Sequence, residues 1–171
     1  MANDSVSQTL AKLVERGAKK MYRGSVSLSD VVGLTDKELE AMYGVGYHLF
    51  NWGKYQPALD IFSVLTLYSP FKAHYWRAAG AVNQAMKRFK EAILAYDMAL
   101  TNNNLDAVSY TYRGESRLAL GDVLGGISDL KKAIEVGEKF PAYINWVKRA
   151  KTLLAVRENA AQAVQNAPKK P

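Results

Sequence analysis

The 171-residue sequence contains no cysteine and only two histidines, and these shortages exclude several kinds of site. Without cysteine the chain forms no disulfide and offers no thiolate to a metal ion, which fits a reducing compartment. No run of about 18 consecutive apolar residues occurs, so no segment is expected to span a membrane. The N-terminal sequence MANDSVSQTLAKLVERGAKK lacks the apolar stretch of a signal peptide, and we therefore expect a soluble, cytoplasmic protein.

Catalytic and phosphate-binding motifs are also missing. His48 and His74 belong to no set of residues with metal-ligand spacing, and the segment 114–126 lacks the Gly-Lys-Ser/Thr ending of a phosphate loop. Most carboxylates lie three or four residues from a basic residue, as Asp129 does from Lys132, which is typical of a solvated helix face. The sequence therefore predicts no enzyme, no cofactor and no metal site.

What the sequence does contain is a repeat of 34 residues. A period of about this length is the signature of tetratricopeptide (TPR) repeats, in which each unit forms two antiparallel helices, A and B. Small residues let the two helices approach closely, and a large side chain fills the gap left by its small partner. The predicted fold is all-α, a short α-solenoid of three TPR repeats. Five columns carry the period: Met42, Trp76 and Tyr110; Gly46, Gly80 and Gly114; Ala58, Ala92 and Gly126; Phe62, Tyr96 and Leu130; and Leu65, Ala99 and Ala133.

This register divides the chain into three regions. Residues 1–38 form an N-terminal helical cap, and 39–140 hold the repeats, at 39–72, 73–106 and 107–140. A C-terminal capping helix and a basic tail occupy 141–171, because a repeat array needs its apolar ends covered.

Local signals predict where helices begin and end. Thr35 with Glu38 forms a capping box, so the first repeat is expected to begin near Asp36. An amphipathic helix is expected at 5–21 and a short helical turn at 28–32. The remaining predicted features are helix B of the first repeat from Pro57, turns at Trp52-Gly53, Lys87-Arg88 and Gly121-Asp122, and a last helix from Pro141 to about Gln165 with Ile144, Val147, Ala150 and Leu154 on one stripe.

The net charge of +7 is concentrated near the C-terminus, where 141–171 hold six basic residues and one acidic residue. One interpretation is an electrostatic patch for nucleic acid or anionic lipid. The other is a solvated face of a terminal helix, and we favour it because no aromatic residues interleave with the charges. We expect neither nucleic acid as a partner nor insertion into a membrane.

The surface left for function is the concave side of the array, which the A helices line. Tyr43, Tyr47 and Phe50 lie at i, i+4 and i+7, so one helix face presents all three rings to an extended peptide with a hydrophobic anchor. The alternative is that these rings pack against the N-terminal segment. The other candidate binding residues are His74, Arg77, Ala81 and Gln84 in the second repeat and Thr111, Glu115 and Leu118 in the third, with Glu40 and Val108 at equivalent positions.

Three stretches carry a resemblance to a known family: GSVSLSDVVGLTDKELEAMY, GYHLFNWGKYQPALDIFSVLTLYSP and YWRAAGAVNQAMKRFKEAILAY. The region 22–140 resembles the TPR chaperones of bacterial type III secretion systems that hold hydrophobic translocator proteins, the class II chaperones. The resemblance implies a cytosolic virulence chaperone whose groove binds an extended N-proximal segment of a translocator, with Tyr43, Tyr47 and Phe50 forming the aromatic pocket. It also implies that 5–21 is a dimerisation element, so a homodimer is one option. This chain is basic, whereas family members are commonly acidic.

A generic TPR scaffold or co-chaperone is the alternative function. A groove that binds a charged C-terminus needs Lys and Asn on helix A of the first repeat, where this chain has Tyr43 and Tyr47. A nucleic-acid adaptor that uses the basic tail is a third hypothesis, and real phosphate contacts would make its binding fall steeply with salt.

Overall fold

The fold is a succession of helices in which each helix packs against its neighbours in the chain. The structure, a computed structural model, describes Glu15 and residues 27–165, without the side chains of 158 and 160–165. No strand occurs in these ranges, and the predicted all-α fold is confirmed. The helices are α1 (Leu28–Val32), α2 (Asp36–Asn51), α3 (Tyr55–Tyr68), α4 (Ala73–Ala85), α5 (Phe89–Asn102), α6 (Ala107–Ala119), α7 (Val123–Gly137) and α8 (Ile144–Gln165), with a 3-10 turn at Pro141–Tyr143.

The helices pair as the 34-residue repeat predicts. Helix α2 packs on α3, α4 on α5 and α6 on α7, and the pairs are joined by contacts of α3 with α4 and of α5 with α6. Helix α8 packs on α7 and also contacts α6, so it covers the end of the third repeat. The predicted helix at 5–21 lies outside the described residues except for Glu15.

The columns of the repeat form the core. Phe62, Tyr96 and Leu130 are each at most 1% exposed, although they differ in size and polarity. The alanines and the leucine of two further columns are fully buried, and Gly126 is buried as well. Only the column of Met42, Trp76 and Tyr110 is half-buried. Burial of these columns removes apolar area worth about 25 cal/mol per Å² from water, which stabilises each helix pair.

A glycine on the first helix of each repeat sets the distance to the second helix. A Cβ built on Gly80 would lie 2.6 Å from the ring of Tyr96, and one on Gly46 would lie 2.9 Å from the ring of Phe62. At Gly114 the nearest atom is the carbonyl oxygen of Gly126, at 3.0 Å. No larger side chain fits at these positions without moving the helices apart, because core packing leaves no spare volume.

Side-chain caps fix the start of the repeat array. The Thr35 hydroxyl accepts a hydrogen bond from the Glu38 backbone N–H at 3.2 Å, and the Glu38 carboxylate accepts the Thr35 N–H at 2.7 Å. The predicted capping box is therefore confirmed. A second box, of Ser27 and Asp30, begins α1, where only a helical turn was predicted from the apolar residues. These caps satisfy N–H groups that a helix leaves unpaired at its start.

Two predicted boundaries differ slightly from the structure. Helix α3 begins at Tyr55, so Pro57 is its third residue rather than its first. A 3-10 turn precedes α8, and Ile144 at the junction is 66% exposed, so it does not belong to the packed stripe. Val147 and Ala150 are buried as predicted.

The prediction for Asp129 is wrong. Its carboxylate is buried and pairs with Arg113 at 2.6 Å and with Arg117 at 2.9 Å, whereas Lys132 pairs with Glu135. The two arginines lie one turn apart on α6, and both reach across to α7, so the carboxylate joins two helices instead of lying on a solvated face. A buried carboxylate needs such partners, because an unpaired buried charge is strongly destabilising.

The turns between the two helices of each repeat share a left-handed residue. Gly53 and Gly121 have φ of 73° and 85°, and Lys87, at the same repeat position, has φ of 60°. Glycine adopts this conformation without steric cost, whereas an L-residue with a Cβ is strained by about 1–2 kcal/mol. The second repeat therefore contains a strained turn that the other two repeats avoid.

We predict opposite outcomes for substitutions at two of these turns. Lys87→Gly should relieve the strain, and although glycine adds freedom to the unfolded chain worth about 0.5–1 kcal/mol, the result should be neutral or stabilising by up to about 1 kcal/mol. Gly121→Ala should destabilise by about 1–2 kcal/mol. Urea denaturation measures both free energies of unfolding, and equal losses in the two variants would contradict this account.

A matched pair of helix glycines tests the close approach of the helices. Gly80→Ala should destabilise by about 1–3 kcal/mol, because its methyl group would overlap the Tyr96 ring. Gly44→Ala should stabilise by about 0.5–1 kcal/mol, because nothing lies within 4 Å of that position and alanine favours a helix. Thermal melting of both variants is the measurement, and a stabilising Gly80→Ala would show that the helices are not in contact there.

Candidate functional site

A cavity of about 360 Å³ lies between the first helices of the repeats and α8. Helices α2, α4 and α6 form its walls, and α3 and α8 each add one aromatic side chain. Most of its lining is aromatic or aliphatic, and Arg77 is its charged residue within the described part of the chain. The lining residues are Tyr43, Tyr47, Phe50, Asn51, Phe62, Arg77, Ala78, Ala81, Val108, Tyr112 and Trp146.

The aromatic wall on α2 combines a ring fixed by the core with a ring open to solvent. The ring of Tyr43 lies 5.6 Å from that of Phe62 and 5.8 Å from that of Tyr75, measured between centroids. Burial raises the pKa of Tyr43 above the ordinary value of a phenol, which is already protonated at neutral pH. Tyr47 stacks on Tyr43 at 6.5 Å but remains 50% exposed. Tyr47 is therefore free to cover an apolar ligand.

Arg77 is held in the cavity by a buried carboxylate. Its Nη1 donates to Asp106 Oδ2 at 2.7 Å, and the Asp106 side chain is fully buried. The same carboxylate accepts the Val108 backbone N–H at 3.1 Å, which caps α6, and the Ser109 hydroxyl at 2.7 Å. Charge-assisted hydrogen bonds of this kind are about twice as strong as neutral ones, so Arg77 is fixed at the junction of the second and third repeats.

In the third repeat the structure places two predicted binding residues inside the protein. Thr111 is fully buried and donates its hydroxyl to the Ala107 carbonyl oxygen at 2.8 Å. Leu118 is 9% exposed and packs in the core cluster at the end of the array. The reason for Thr111 is side-chain length: Arg77 stands at the equivalent position of the second repeat and reaches the cavity, whereas the short threonine side chain ends against its own helix.

Gln84 and Glu115 form a polar link beside the cavity rather than part of its lining. The Tyr96 hydroxyl donates to Gln84 Oε1 at 2.8 Å, and Gln84 Nε2 donates to Glu115 Oε2 at 3.1 Å. Glu115 also accepts two hydrogen bonds from Arg149 on α8. The chain of bonds joins the second repeat, the third repeat and α8.

His74 lies next to the aromatic wall and is held by the first repeat. Its Nε2 lies 3.0 Å from Glu40 Oε1, and its ring meets the ring of Tyr43 edge-on at 5.2 Å. The Tyr75 hydroxyl donates to the same Glu40 oxygen at 2.9 Å. Of the ten candidate residues, five line the cavity: Tyr43, Tyr47, Phe50, Arg77 and Ala81.

Three aromatic side chains of the cavity were not among the predicted binding residues: Phe62, which was predicted as core, Tyr112 and Trp146. The ring of Tyr112 lies 4.9 Å from that of Trp146, measured between centroids. The guanidinium of Arg149 lies over the Tyr112 ring, 5.6 Å from its centroid. Tyr112 could have been found, because it follows Val108 by four residues and therefore shares its helix face. Trp146 belongs to α8, outside the repeats, and no periodic signal points to it.

Two negative findings apply to the described residues alone. No cluster of His, Cys, Asp or Glu there could hold a metal ion. None of the described helices combines the length and the apolar character needed to cross a bilayer.

An all-α TPR array with an aromatic cavity against its first helices is a helical-repeat protein in its general class. No protein-family model matches the chain. It is 24% identical over 120 residues to the chaperone protein SicA of Salmonella typhimurium, which covers 70% of this chain and 68% of SicA.

Two solved structures extend the comparison. The type III secretion translocator chaperone SycD of Yersinia enterocolitica superimposes with a TM-score of 0.74 at 20% identity, over 77% of this chain and 98% of SycD. PcrH of Pseudomonas aeruginosa, solved in complex with the chaperone binding region of PopD, gives a TM-score of 0.71 at 25% identity, over 78% of this chain and 98% of PcrH.

The chain is thus similar in sequence to SicA and PcrH and has the fold of SycD, so the predicted resemblance to type III secretion translocator chaperones is confirmed. These relatives are chaperones, which agrees with the expectation that the chain is not an enzyme.

The buried partner of Arg77 generates a stability prediction. Asp106→Asn removes the charge that Arg77 and the α6 cap share, and it should cost about 1.5–3 kcal/mol, the range for hydrogen bonds to charged groups. Asp36→Asn is the matched control, because Asp36 pairs with Lys72 at 3.3 Å on an exposed surface, and it should cost less than about 1 kcal/mol. Urea denaturation measures the free energy of unfolding of both variants. Similar losses would show that the pair of Asp106 with Arg77 stabilises the fold no more than an exposed ion pair does.

Proposed function

We propose that this protein is a cytoplasmic secretion chaperone that binds and masks apolar segments of hydrophobic translocator proteins before type III export. The observation that carries the proposal is the aromatic cavity, in which Tyr47 stays half exposed on a fold similar to that of translocator chaperones. PcrH, a relative of this chain, is known in complex with a client segment.

The chemistry of the cavity fits an extended apolar segment. Tyrosine rings offer apolar area, while their hydroxyls remain able to form hydrogen bonds with a peptide backbone. They therefore suit a groove that holds water when it is empty and loses that water when a peptide binds. Ala81 and Ala78 leave room between the aromatic wall on α2 and Tyr112 on α6. One apolar client side chain lying there would be covered on several sides, which is the setting in which a buried anchor contributes most to binding.

The alternative is a generic TPR scaffold or co-chaperone. A site for a charged C-terminus would need a lysine as well as an amide on α2, whereas α2 lines the cavity with Asn51 and the rings of Tyr43, Tyr47 and Phe50 but with no lysine. The aromatic lining therefore favours an apolar client segment over a charged terminus.

A homodimer is the second association that we propose for this chaperone. The segment at 5–21 that would mediate it lies outside the described residues, apart from Glu15. Sedimentation of the full chain and of a chain without residues 1–21 tests it: a fall in mass with unchanged melting supports the dimer, and an unchanged mass with a large loss of melting temperature shows that the segment is only a cap.

Co-expression with the products of the neighbouring genes tests the proposed client. The tagged chain should retain a hydrophobic, membrane-inserting protein, which mass spectrometry would identify, and should keep it in the soluble fraction. Retention of no such protein, or equal solubility of that protein without the chaperone, would overturn the proposal.

The aromatic cavity itself is tested by one substitution on α2 and one at the residue that follows α2. Tyr47→Ala should weaken client binding about tenfold or more, because truncating the ring removes buried area worth roughly 1–3 kcal/mol, and it should leave melting nearly unchanged. Trp52→Ala removes an aromatic ring just after the end of α2 and outside the cavity, where it is 69% exposed, and should not change binding.

Fluorescence anisotropy with a client peptide is the measurement. Binding of the Tyr47 variant like wild type would show that the cavity is not the client site. Unfolding of this variant would show that the rings are core, which is the alternative left open by the sequence.

A further inference from the structure

Within the described part of the chain, each charged side chain that lines the aromatic cavity or the cavity beside it is a cation. A second cavity of about 500 Å³ lies along α8, and Trp146 borders both cavities. Arg77 lines the first cavity, and Lys148 and Arg149 line the second. Among the described residues no carboxylate lines either one. We call Arg77, Lys148 and Arg149 the basic wall.

Each cation of the basic wall keeps capacity for an anionic ligand. Lys148 is exposed, and no carboxylate in the described part of the chain pairs with it. The bond from Arg77 to Asp106 engages Nη1, whereas a guanidinium carries five N–H donors in all. Arg149 is paired with Glu115, yet its side chain is half exposed. Two arginines positioned by ion pairs and, within the described residues, one lysine without an ion-pair partner therefore line the two cavities.

Tyr112 lies next to two residues of the basic wall, Arg77 in the first cavity and Arg149 in the second. Its ring lines the first cavity beside Arg77 and lies under the guanidinium of Arg149. Burial raises the pKa of Tyr112, the charge of Arg149 lowers it, Glu115 raises it, and Arg77 lowers it. The cations thus lie in one region next to the aromatic wall, where Asp106 pairs with Arg77 and Glu115 with Arg149.

We propose that the client segment carries an Asp or Glu within a few residues of its apolar anchor, and that this carboxylate lies against the basic wall while the anchor lies between Tyr47 and Phe50. The inference rests on the proposed function and names the kind of segment bound. In an extended segment, side chains two residues apart point to the same side about 6.6 Å apart, so an anchor and a carboxylate can enter adjoining cavities. The net charge of +7 also favours the approach of an acidic segment.

The probes are overlapping synthetic peptides from the hydrophobic proteins encoded beside this chain's gene. Each peptide that binds the full-length chain is remade with every Asp and Glu changed to Asn and Gln, which keeps size and polarity and removes charge. The neutral peptide should bind about two- to fivefold more weakly for each lost carboxylate–cation contact, the range of exposed ion pairs, and the difference should shrink at high salt.

Two protein variants locate the carboxylate. Lys148→Glu should remove most of the difference between the acidic and neutral peptides, and it should favour a peptide in which the acidic residue is changed to Lys. Lys151→Glu is the matched control: it makes the same change of charge on the same helix, but Lys151 pairs with Glu138 and lines neither cavity. It should leave the difference nearly as in wild type.

The outcomes separate this inference from the proposed function. If peptides bind and the acidic and neutral forms bind equally, the inference is overturned and the chaperone function stands, with backbone carbonyls as the acceptors of the arginine donors. If Lys151→Glu acts as strongly as Lys148→Glu, general attraction to a basic protein explains the difference, and the assigned place is overturned. Binding of no peptide to the wild-type chain would overturn the proposed function and this inference together.

Discussion

The spacing between the two helices of each repeat depends on one contact, a glycine on the first helix against a large side chain or a backbone on the second. Gly46 meets Phe62 and Gly80 meets Tyr96 at distances that leave no room for a methyl group. Tyr47 and Ala81 directly follow these glycines and line the cavity. The position of the cavity lining is therefore fixed by the same close approach that holds the core together. A shift of the first helix would change the core contact of the glycine and would also move the lining residue next to it.

The groove differs in character along its length because different forces hold its parts. At α2 the ring of Tyr43 is stabilised by aromatic packing and by burial, and the half-exposed ring of Tyr47 stacks on it. Towards α8 the side chains are positioned by ion pairs that cross from one helix to another, with Arg77 on Asp106 and Arg149 on Glu115. The aromatic part at α2 favours apolar ligands. In the part towards α8, the ion pairs fix the orientation of the arginine side chains.

Most of the fold could be predicted, because three copies of one pattern occur in register. The prediction failed where an individual side chain departs from its column. Thr111 was assigned to the groove because Arg77 and Tyr43 stand at equivalent positions, but only the longer side chains reach it. Trp146 lies in a helix that has no repeat counterpart. The partners of Asp129 lie on the preceding helix and are invisible to a search for neighbours three or four residues away.

The buried carboxylate of Asp106 begins α6 and also orients a groove cation. A single side chain thus serves as a structural joint between two repeats and as part of the ligand surface. A substitution of Arg77 would break its ion pair with Asp106 and disturb the contact between the two repeats. Tyr47 and Ala81 line the cavity without such an ion pair. Related proteins that bind different ligands should therefore differ first at positions such as Tyr47 and Ala81. When repeats are exchanged between related arrays, the exchanged segment should contain both Asp106 and Arg77.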